Sequence, residues 1–459
     1  MSVIPQRRLR AAFARRLSEM YGREVPAYRT LVEVSREVND AVLGRLGGDA
    51  ERLGSIDRVS AERHGAIRVG TPAELQQVAR IFGALGMRPV GFYDLRDAAT
   101  SAVPVVSTAF RPVEAGELAF NPFRVFTSML TPADRRFFDP DLGARLEDFL
   151  AARELFPPEL LDLADRAELD GGLPEQAAER FLDLAARSFA LSTEPIDKSW
   201  YETLEQVSAV AADIGGVTST HINHLTPRVL DIDDLYRRMT ERGITMIDKI
   251  QGPPRWSGPD VLLRQTSFRA LAEPRRLRLP DGRVETGALR VRFGEVEARG
   301  IALTRAGRER YDALMARTGT GDPAIARKIW EGDPAGFPAT ERGLAVDGLG
   351  YFTYRPVTDR APDGRRPGTD LAGLIDQGWV RPEPIVYEDF LPRSAAGIFQ
   401  SNLTGEGRKD DSRDAAGYDA GRLAEAMGRP VLDPYALYQE TQDRSLEEVA
   451  RVFDLPAIK

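Results

Sequence analysis

His64-Gly-Ala-Ile-Arg-Val-Gly70, followed at once by Thr71-Pro72, is the stretch on which the reading of the fold turns. Its apolar and polar positions suit a short strand, in which side chains alternate between two faces. Thr71 then offers a helix cap and Pro72 a first helical residue whose ring already holds a helical φ. Leu75, Val78, Ala79, Phe82 and Leu85 recur at helical spacing until Gly86 ends the element. Extended segments follow at Arg88–Leu95, Val103–Val113 and Arg124–Leu130, so the order is one strand, one helix and three strands.

The same order returns after an interruption. Thr220–Leu230, which contains His221-Ile-Asn-His224, reads as extended, Asp231–Arg242 as helical with Gly243 at its end, and Val261–Leu271 and Ala288–Leu303 as extended. Thr108-Ala-Phe-Arg111 in the first unit is echoed by Thr266-Ser-Phe-Arg269 in the second. Thr108 follows His64 by 44 positions, and Thr266 follows His224 by 42. These matched offsets favour duplication over chance. The expected organisation is α+β: N-terminal helices over 1–60, a first βαβββ module over 61–131, a helical insertion over 132–212, a second module over 213–304 and a C-terminal region over 305–459. Within the insertion, Leu142–Leu155, Pro158–Ala167, Glu175–Phe189 and Trp200–Ala212 read as helices. Val386–Leu403, rich in aromatic and small polar residues, reads as a segment folding back over the duplicated core.

Composition bounds the function. Of 459 residues 42% are apolar, 29% charged and 8% aromatic, which is globular. The formal net charge of −8 lacks the broad positive field of a general nucleic-acid binder. Pro274-Arg-Arg-Leu-Arg278 reads as a solvated turn. No apolar run approaches the roughly 20 residues of a membrane helix. The basic start, Pro5 to Arg16, reads as an opening surface helix, because it has no secretory core and Glu19 and Glu24 spoil a transit-peptide pattern. Cysteine is absent, which excludes disulfides, thiolate zinc sites and a cysteine nucleophile, and fits a reducing cytoplasm.

Chemistry must then come from few groups. There are three histidines, His64, His221 and His224. On a regular strand His64, Ala66 and Arg68 share a face, joining a metal-binding imidazole to a guanidinium whose planar fork holds carboxylates. Pro227 disfavours a helix through His221 and His224, so on a strand only one of them points into a site, and spacing alone does not choose. The third ligand should be a carboxylate, and Phe293-Gly-Glu295-Val-Glu297 offers two on one face beside Gly294, where backbone packs closely. Two imidazoles and a carboxylate form the facial triad of non-haem iron(II) oxygenases, although zinc accepts the same set. Phosphate-binding loops, His-Glu-x-x-His, EF-hand loops and Gly-x-Ser-x-Gly are missing.

Glu62-Arg-His-Gly-Ala-Ile-Arg-Val-Gly70, His221-Ile-Asn-His-Leu-Thr-Pro-Arg228, Arg264-Gln-Thr-Ser-Phe268, Arg292-Phe-Gly-Glu295 and Tyr387–Phe399 resemble the bacterial 2-oxoadipate dioxygenase/decarboxylase family, also called 2-hydroxyglutarate synthase. The resemblance runs from about Tyr21 past Asn402. It implies the paired modules of the vicinal oxygen chelate superfamily, with Fe(II) held by His64, His224 and Glu295, and His221 and Glu297 as neighbours. It further implies that Arg68 binds the substrate carboxylate and that Arg393 and Ser394 lie in a substrate-contacting segment, 386–403, where valine is expected at position 393. The implied reaction takes 2-oxoadipate and O2 to 2-hydroxyglutarate and CO2 in lysine breakdown, with no nucleic-acid or membrane partner. Two rivals stand beside it: an oxygen-independent lyase or isomerase of the same superfamily, and a non-catalytic binder of small acids.

Overall fold

The structure is a computed structural model that describes residues 3–97, 102–270, 272–289, 292–318, 322–332, 336–359, 364–391 and 409–458. Seven strands position the candidate site: β1 (Arg63–Val69), β2 (Arg88–Asp94), β3 (Val105–Arg111), β4 (Arg124–Leu130), β5 (His224–Pro227), β6 (Leu263–Phe268) and β7 (Gly294–Arg299). A five-stranded sheet runs in the order β2-β3-β4-β1-β5. Strand β1 is parallel to β4 and antiparallel to β5, and the other pairs are antiparallel. Strands β6 and β7 form an antiparallel pair of their own. A parallel bridge between Arg228 and Glu297 joins that pair to the end of β5.

The expected strand, helix and three strands of the first unit are all present. Helix Pro72–Gly83 lies between β1 and β2, and its start is a complete capping box, with Thr71 Oγ1 accepting from the Glu74 amide at 3.1 Å. In the second region helix Ile232–Glu241 follows β5 and is capped by Asp231. Here Thr220–Leu230 is narrower than expected, with a strand over His224–Pro227 and a bridge at Arg228, and the segment before β6 is reduced to bridges from Met246 and Gln251 onto β6. The second set of pairings still follows the order of the first: a parallel contact, then two antiparallel ones.

Several elements differ from the sequence-based expectation. Ala288–Leu303 is not one extended segment: Val284–Leu289 pairs with Glu273–Arg278, and β7 begins separately at Gly294. Pro274–Arg278 is therefore strand rather than turn, with Arg275 and Leu277 buried and Arg276 and Arg278 exposed, as alternation demands. Trp200–Ala212 divides into Lys198–Glu205 and Ala209–Gly215, because Ser208 Oγ accepts from the Val210 and Ala211 amides and starts a new helix. Helix Gln6–Glu24 is no mere surface element: Leu9, Phe13 and Leu17 are in the core. Arg10, wholly buried, donates to the carbonyls of Asn121 and Leu85 at 3.0 and 2.9 Å.

The sheet separates two apolar layers. Ile67 and Val69 face a core built on the N-terminal helices, whereas Ala66 packs with Phe126, Tyr201 and Phe390 on the opposite side. His64 and Arg68 share the face of Ala66, so the polar groups of β1 enter this second layer. The C-terminal region builds a third core around Trp330, Phe352 and Tyr387. Close packing explains Gly294: a Cβ there would lie 1.8 Å from a ring carbon of Phe268, its cross-strand partner. Gly294→Ala should destabilise the protein by about 1–3 kcal/mol through overpacking, measured by urea unfolding. Gly116→Ala, with nothing near its added methyl, should be neutral or mildly stabilising.

Candidate metal centre

The register of β1 against β5 sets His64 opposite Thr226 and Ala66 opposite His224. The two imidazoles are thus diagonal neighbours on one face, where cross-strand side chains meet. Their rings lie 5.4 Å apart and nearly perpendicular. Glu295 reaches the same point from β7. His64 Nε2 is 3.6 Å from Glu295 Oε1, and His224 Nε2 is 3.7 Å from Glu295 Oε2. One donor atom from each of the three residues falls within 4.8 Å of the other two, and all three side chains are buried.

The remaining atoms are held from behind. His64 Nδ1 lies 3.1 Å from Glu297 Oε1, and His224 Nδ1 shares a hydrogen bond of 3.0 Å with Thr226 Oγ1. Both contacts lie behind the rings and leave Nε2 facing inward, the direction in which an imidazole could hold a metal. Gln265, on β6, donates to Glu295 Oε1. Rings close the site: Phe390 stands edge-on to His64 at 5.0 Å, and Phe293 stacks on His224 at 5.4 Å.

Electrostatics agree with a cation-accepting group. Burial pushes both imidazoles below their ordinary pKa, His224 well below it with the Arg68 cation nearby, so both stand neutral and able to ligate. Burial, with the nearby charge of Glu297, pushes Glu295 well above the usual carboxylate range. No Arg or Lys among the described residues pairs with Glu295. Two neutral nitrogens and a buried carboxyl without a cationic partner are a donor set that suits a divalent metal. Glu297 differs: burial raises it, but Arg299, His64 and Arg124 outweigh that and hold it ionised.

Arg68 lies on the same face of β1, ion-paired to Asp213 of helix Ala209–Gly215. Asp213 also accepts from Asn223 Nδ2 at 2.8 Å and lies 3.5 Å from His221 Nε2. Burial drives His221 down to about 3. His221 Nε2 shares a hydrogen bond of 3.1 Å with Asn223 Nδ2, and His221 stays outside the His64–His224–Glu295 group, beside the Arg68–Asp213 pair. Arg393 and Ser394 lie outside the described residues, with all of 392–403. Of the 386–403 segment, only residues 386–391 are described: Val386 bridges to Ile301, and Asp389 pairs with Arg111 at 2.8 Å.

Thr226, Gln265, Asp213 and Phe390 stand around the candidate site and are not among the residues that the sequence singles out. Thr226 carries a signal, since it shares parity with His224. Asp213 carries one too, as the lone acid in Ala-Val-Ala-Ala-Asp-Ile-Gly. Gln265 carries none, because its role depends on the register of β6 with β7, where it opposes Glu297 and reaches diagonally to Glu295.

Fold and site together define a mixed α/β protein with a buried group of two histidines and one glutamate that could hold a metal ion. The chain belongs to the 2-oxoadipate dioxygenase/decarboxylase family, whose sequence profile matches residues 13–402. A relative from Mycobacterium tuberculosis named 2-oxoadipate dioxygenase/decarboxylase is 60% identical over 430 residues, 94% of this chain and 95% of its own. An Escherichia coli relative of the same name is 41% identical over 444 residues, 95% of this chain and 96% of its own. The crystal structure of the Pseudomonas putida hydroxyglutarate synthase in complex with 2-oxoadipate superposes with a TM-score of 0.84 at 39% identity, covering 99% of this chain and 100% of that one.

Thr226→Val removes the hydroxyl that holds His224 while keeping its shape. It should weaken metal binding about 10–100-fold with little change in unfolding midpoint, read by titrating the metal-free protein with a divalent metal.

Proposed function

We propose that this chain is an Fe(II)-dependent dioxygenase that converts 2-oxoadipate and O2 to 2-hydroxyglutarate and CO2. The observation that carries the reading is the convergence of His64 Nε2, His224 Nε2 and the Glu295 carboxylate in one buried group. Nitrogen and oxygen donors without sulfur suit Fe(II), and three ligands on one side leave positions for substrate and O2. Membership of the family supports the substrate, and so does the complex of the related P. putida synthase with 2-oxoadipate.

When bound, the metal supplies Lewis acidity and the redox chemistry of O2, and the chain supplies the rest. His64, His224 and Glu295 hold the ion, and Glu297 and Thr226 fix the direction of the imidazoles. Arg68, held by Asp213, orients the acid through its distal carboxylate. Phe293 and Phe390 exclude water, which strengthens every charge interaction inside. The reaction balances without a second oxo acid: the carboxyl carbon leaves as CO2, and the two atoms of O2 enter the new carboxylate and the hydroxyl beside it. The repeated pairing order supports a pair of vicinal-oxygen-chelate modules over 61–131 and 213–304, with N-terminal helices over 1–60, an insertion over 132–212 and a C-terminal region over 305–459. Arg393 and Ser394 are assigned to the substrate-contacting segment, and the whole to lysine breakdown in the cytoplasm. No described helix is long and apolar enough to cross a membrane.

The Fe(II)-loaded protein given 2-oxoadipate should consume O2 and release CO2 and 2-hydroxyglutarate in equal amounts. Both atoms of labelled O2 should appear in the product by mass spectrometry. Turnover without O2 uptake would contradict the reading. His64→Ala, His224→Ala and Glu295→Ala should each lose stoichiometric metal and activity. Arg68→Ala should keep the metal and raise KM by on the order of a hundredfold.

A further inference from the structure

Arg275 is a buried cation with no carboxylate partner among the described residues. It lies on strand Glu273–Arg278, paired with Gly287 on one side, and alternation turns it to the same inward face as Leu277. Leu277 packs in the layer that contains Ala66, Tyr201 and Phe390, which is the layer of the metal-binding group. Arg275 is 7% exposed. Its one hydrogen bond among the described residues runs from Nη1 to the carbonyl of Ser192 at 3.1 Å, and its buried Nε has no partner.

The other buried arginines are treated differently. Arg292 is paired with Glu24 and Glu273, Arg124 with Glu62 and Glu388, Arg111 with Asp389, and Arg228 with Glu62. No carboxylate among the described residues comes within 4.0 Å of the Arg275 guanidinium. A buried guanidinium without an anion is disfavoured by desolvation that nothing repays, so its presence asks for a ligand that supplies the missing charge.

The surroundings say where that ligand sits. The field of Arg275 reaches Asp213, Tyr201 and His221, the groups gathered around Arg68. Burial lowers the Arg275 pKa, and Asp213 and Glu273 only partly oppose it, as expected of a cation whose nearest acids are already bound to other arginines. Asp213 offsets Arg68, which leaves Arg275 with the uncompensated charge.

We propose that Arg275 is a second substrate-binding arginine, which with Arg68 takes the distal carboxylate of a six-carbon 2-oxo dicarboxylic acid. This rests on the functional reading given above and deepens it: Arg275 makes the site select a dicarboxylate over a 2-oxo acid with an apolar end. The fork geometry of two guanidiniums on one carboxylate also fixes how far the 2-oxo end projects toward His64 and His224.

The test compares 2-oxoadipate with 2-oxohexanoate, which has the same chain ending in a methyl group, in wild type, Arg275→Met and Arg275→Lys. Arg275→Met should raise KM for 2-oxoadipate about a hundredfold, with kcat within a few-fold and 2-oxohexanoate unaffected. Arg275→Lys should recover part of the loss. The unfolding midpoint of Arg275→Met should be equal or higher, because an unpaired buried charge has been removed. An unchanged KM for 2-oxoadipate overturns the proposal, and so does an equal loss on both substrates with a lowered midpoint, which marks a structural residue. Should the wild type not turn over 2-oxoadipate, the reaction assignment fails, and calorimetry with adipate decides separately. Binding by wild type but not by Arg275→Met sustains the proposal; equal binding, or none by either, overturns it.

Discussion

Everything at the centre of this molecule depends on the antiparallel pairing of β1 with β5. Only four residue pairs make it, Arg63 with Pro227 through Ala66 with His224, yet it joins segments 160 positions apart along the chain. Because strand side chains alternate with period two, a slip of one residue would turn one histidine away from the other. The neighbours enforce the register. Gly65 leaves room for Ile222, where an added Cβ would lie 2.5 Å from the side chain, and the Asn223 amide donates to Ala66 O at 2.8 Å. The donor set is therefore a product of sheet registry rather than of a contiguous motif.

Behind that pairing lies a lattice of buried charge. Glu62 holds Arg124 at 2.8 Å and Arg228 at 2.9 Å, Arg124 also meets Glu388, and Glu297 is gripped by Arg299. Burial alone would raise Glu62, but Arg228, Arg124 and Arg58 overcome it and keep it well below the ordinary carboxylate range. Buried ion pairs are weak evidence for stability, since desolvation offsets their attraction. What they provide is direction. Glu297 ends the lattice against His64 Nδ1, and Glu388 anchors the segment whose Phe390 covers the same ring. The lattice thus ties β1, β4, β5, β7 and the C-terminal segment to one imidazole.

Much of this is legible in sequence, and the limits have physical reasons. The first strand–helix–three-strand unit is readable because each element carries its own punctuation, such as Thr71-Pro72 and Gly86. His64 and Arg68 on one face follow from alternation alone. His221 against His224, and Glu295 against Glu297, are not separable that way, because the structure distinguishes them through partners on other elements: Asp213 for His221 and Arg299 for Glu297. The hairpin over 273–289 escapes a sequence reading for a related reason. Arg-Arg-Leu-Arg resembles solvated turn until it is known that every second residue is buried, and burial of Arg275 is a tertiary fact that composition argues against.

In the proposed function one metal ion is held by atoms drawn from two sheets. Anomalous diffraction at the iron edge from anaerobic, Fe(II)-loaded crystals tests it most directly. One iron per chain should lie about 2.0–2.2 Å from His64 Nε2, His224 Nε2 and an oxygen of Glu295, distances usual for imidazole and carboxylate on a divalent metal. Iron bound instead through His221 or Glu297, or no ordered iron between β1, β5 and β7, would contradict it.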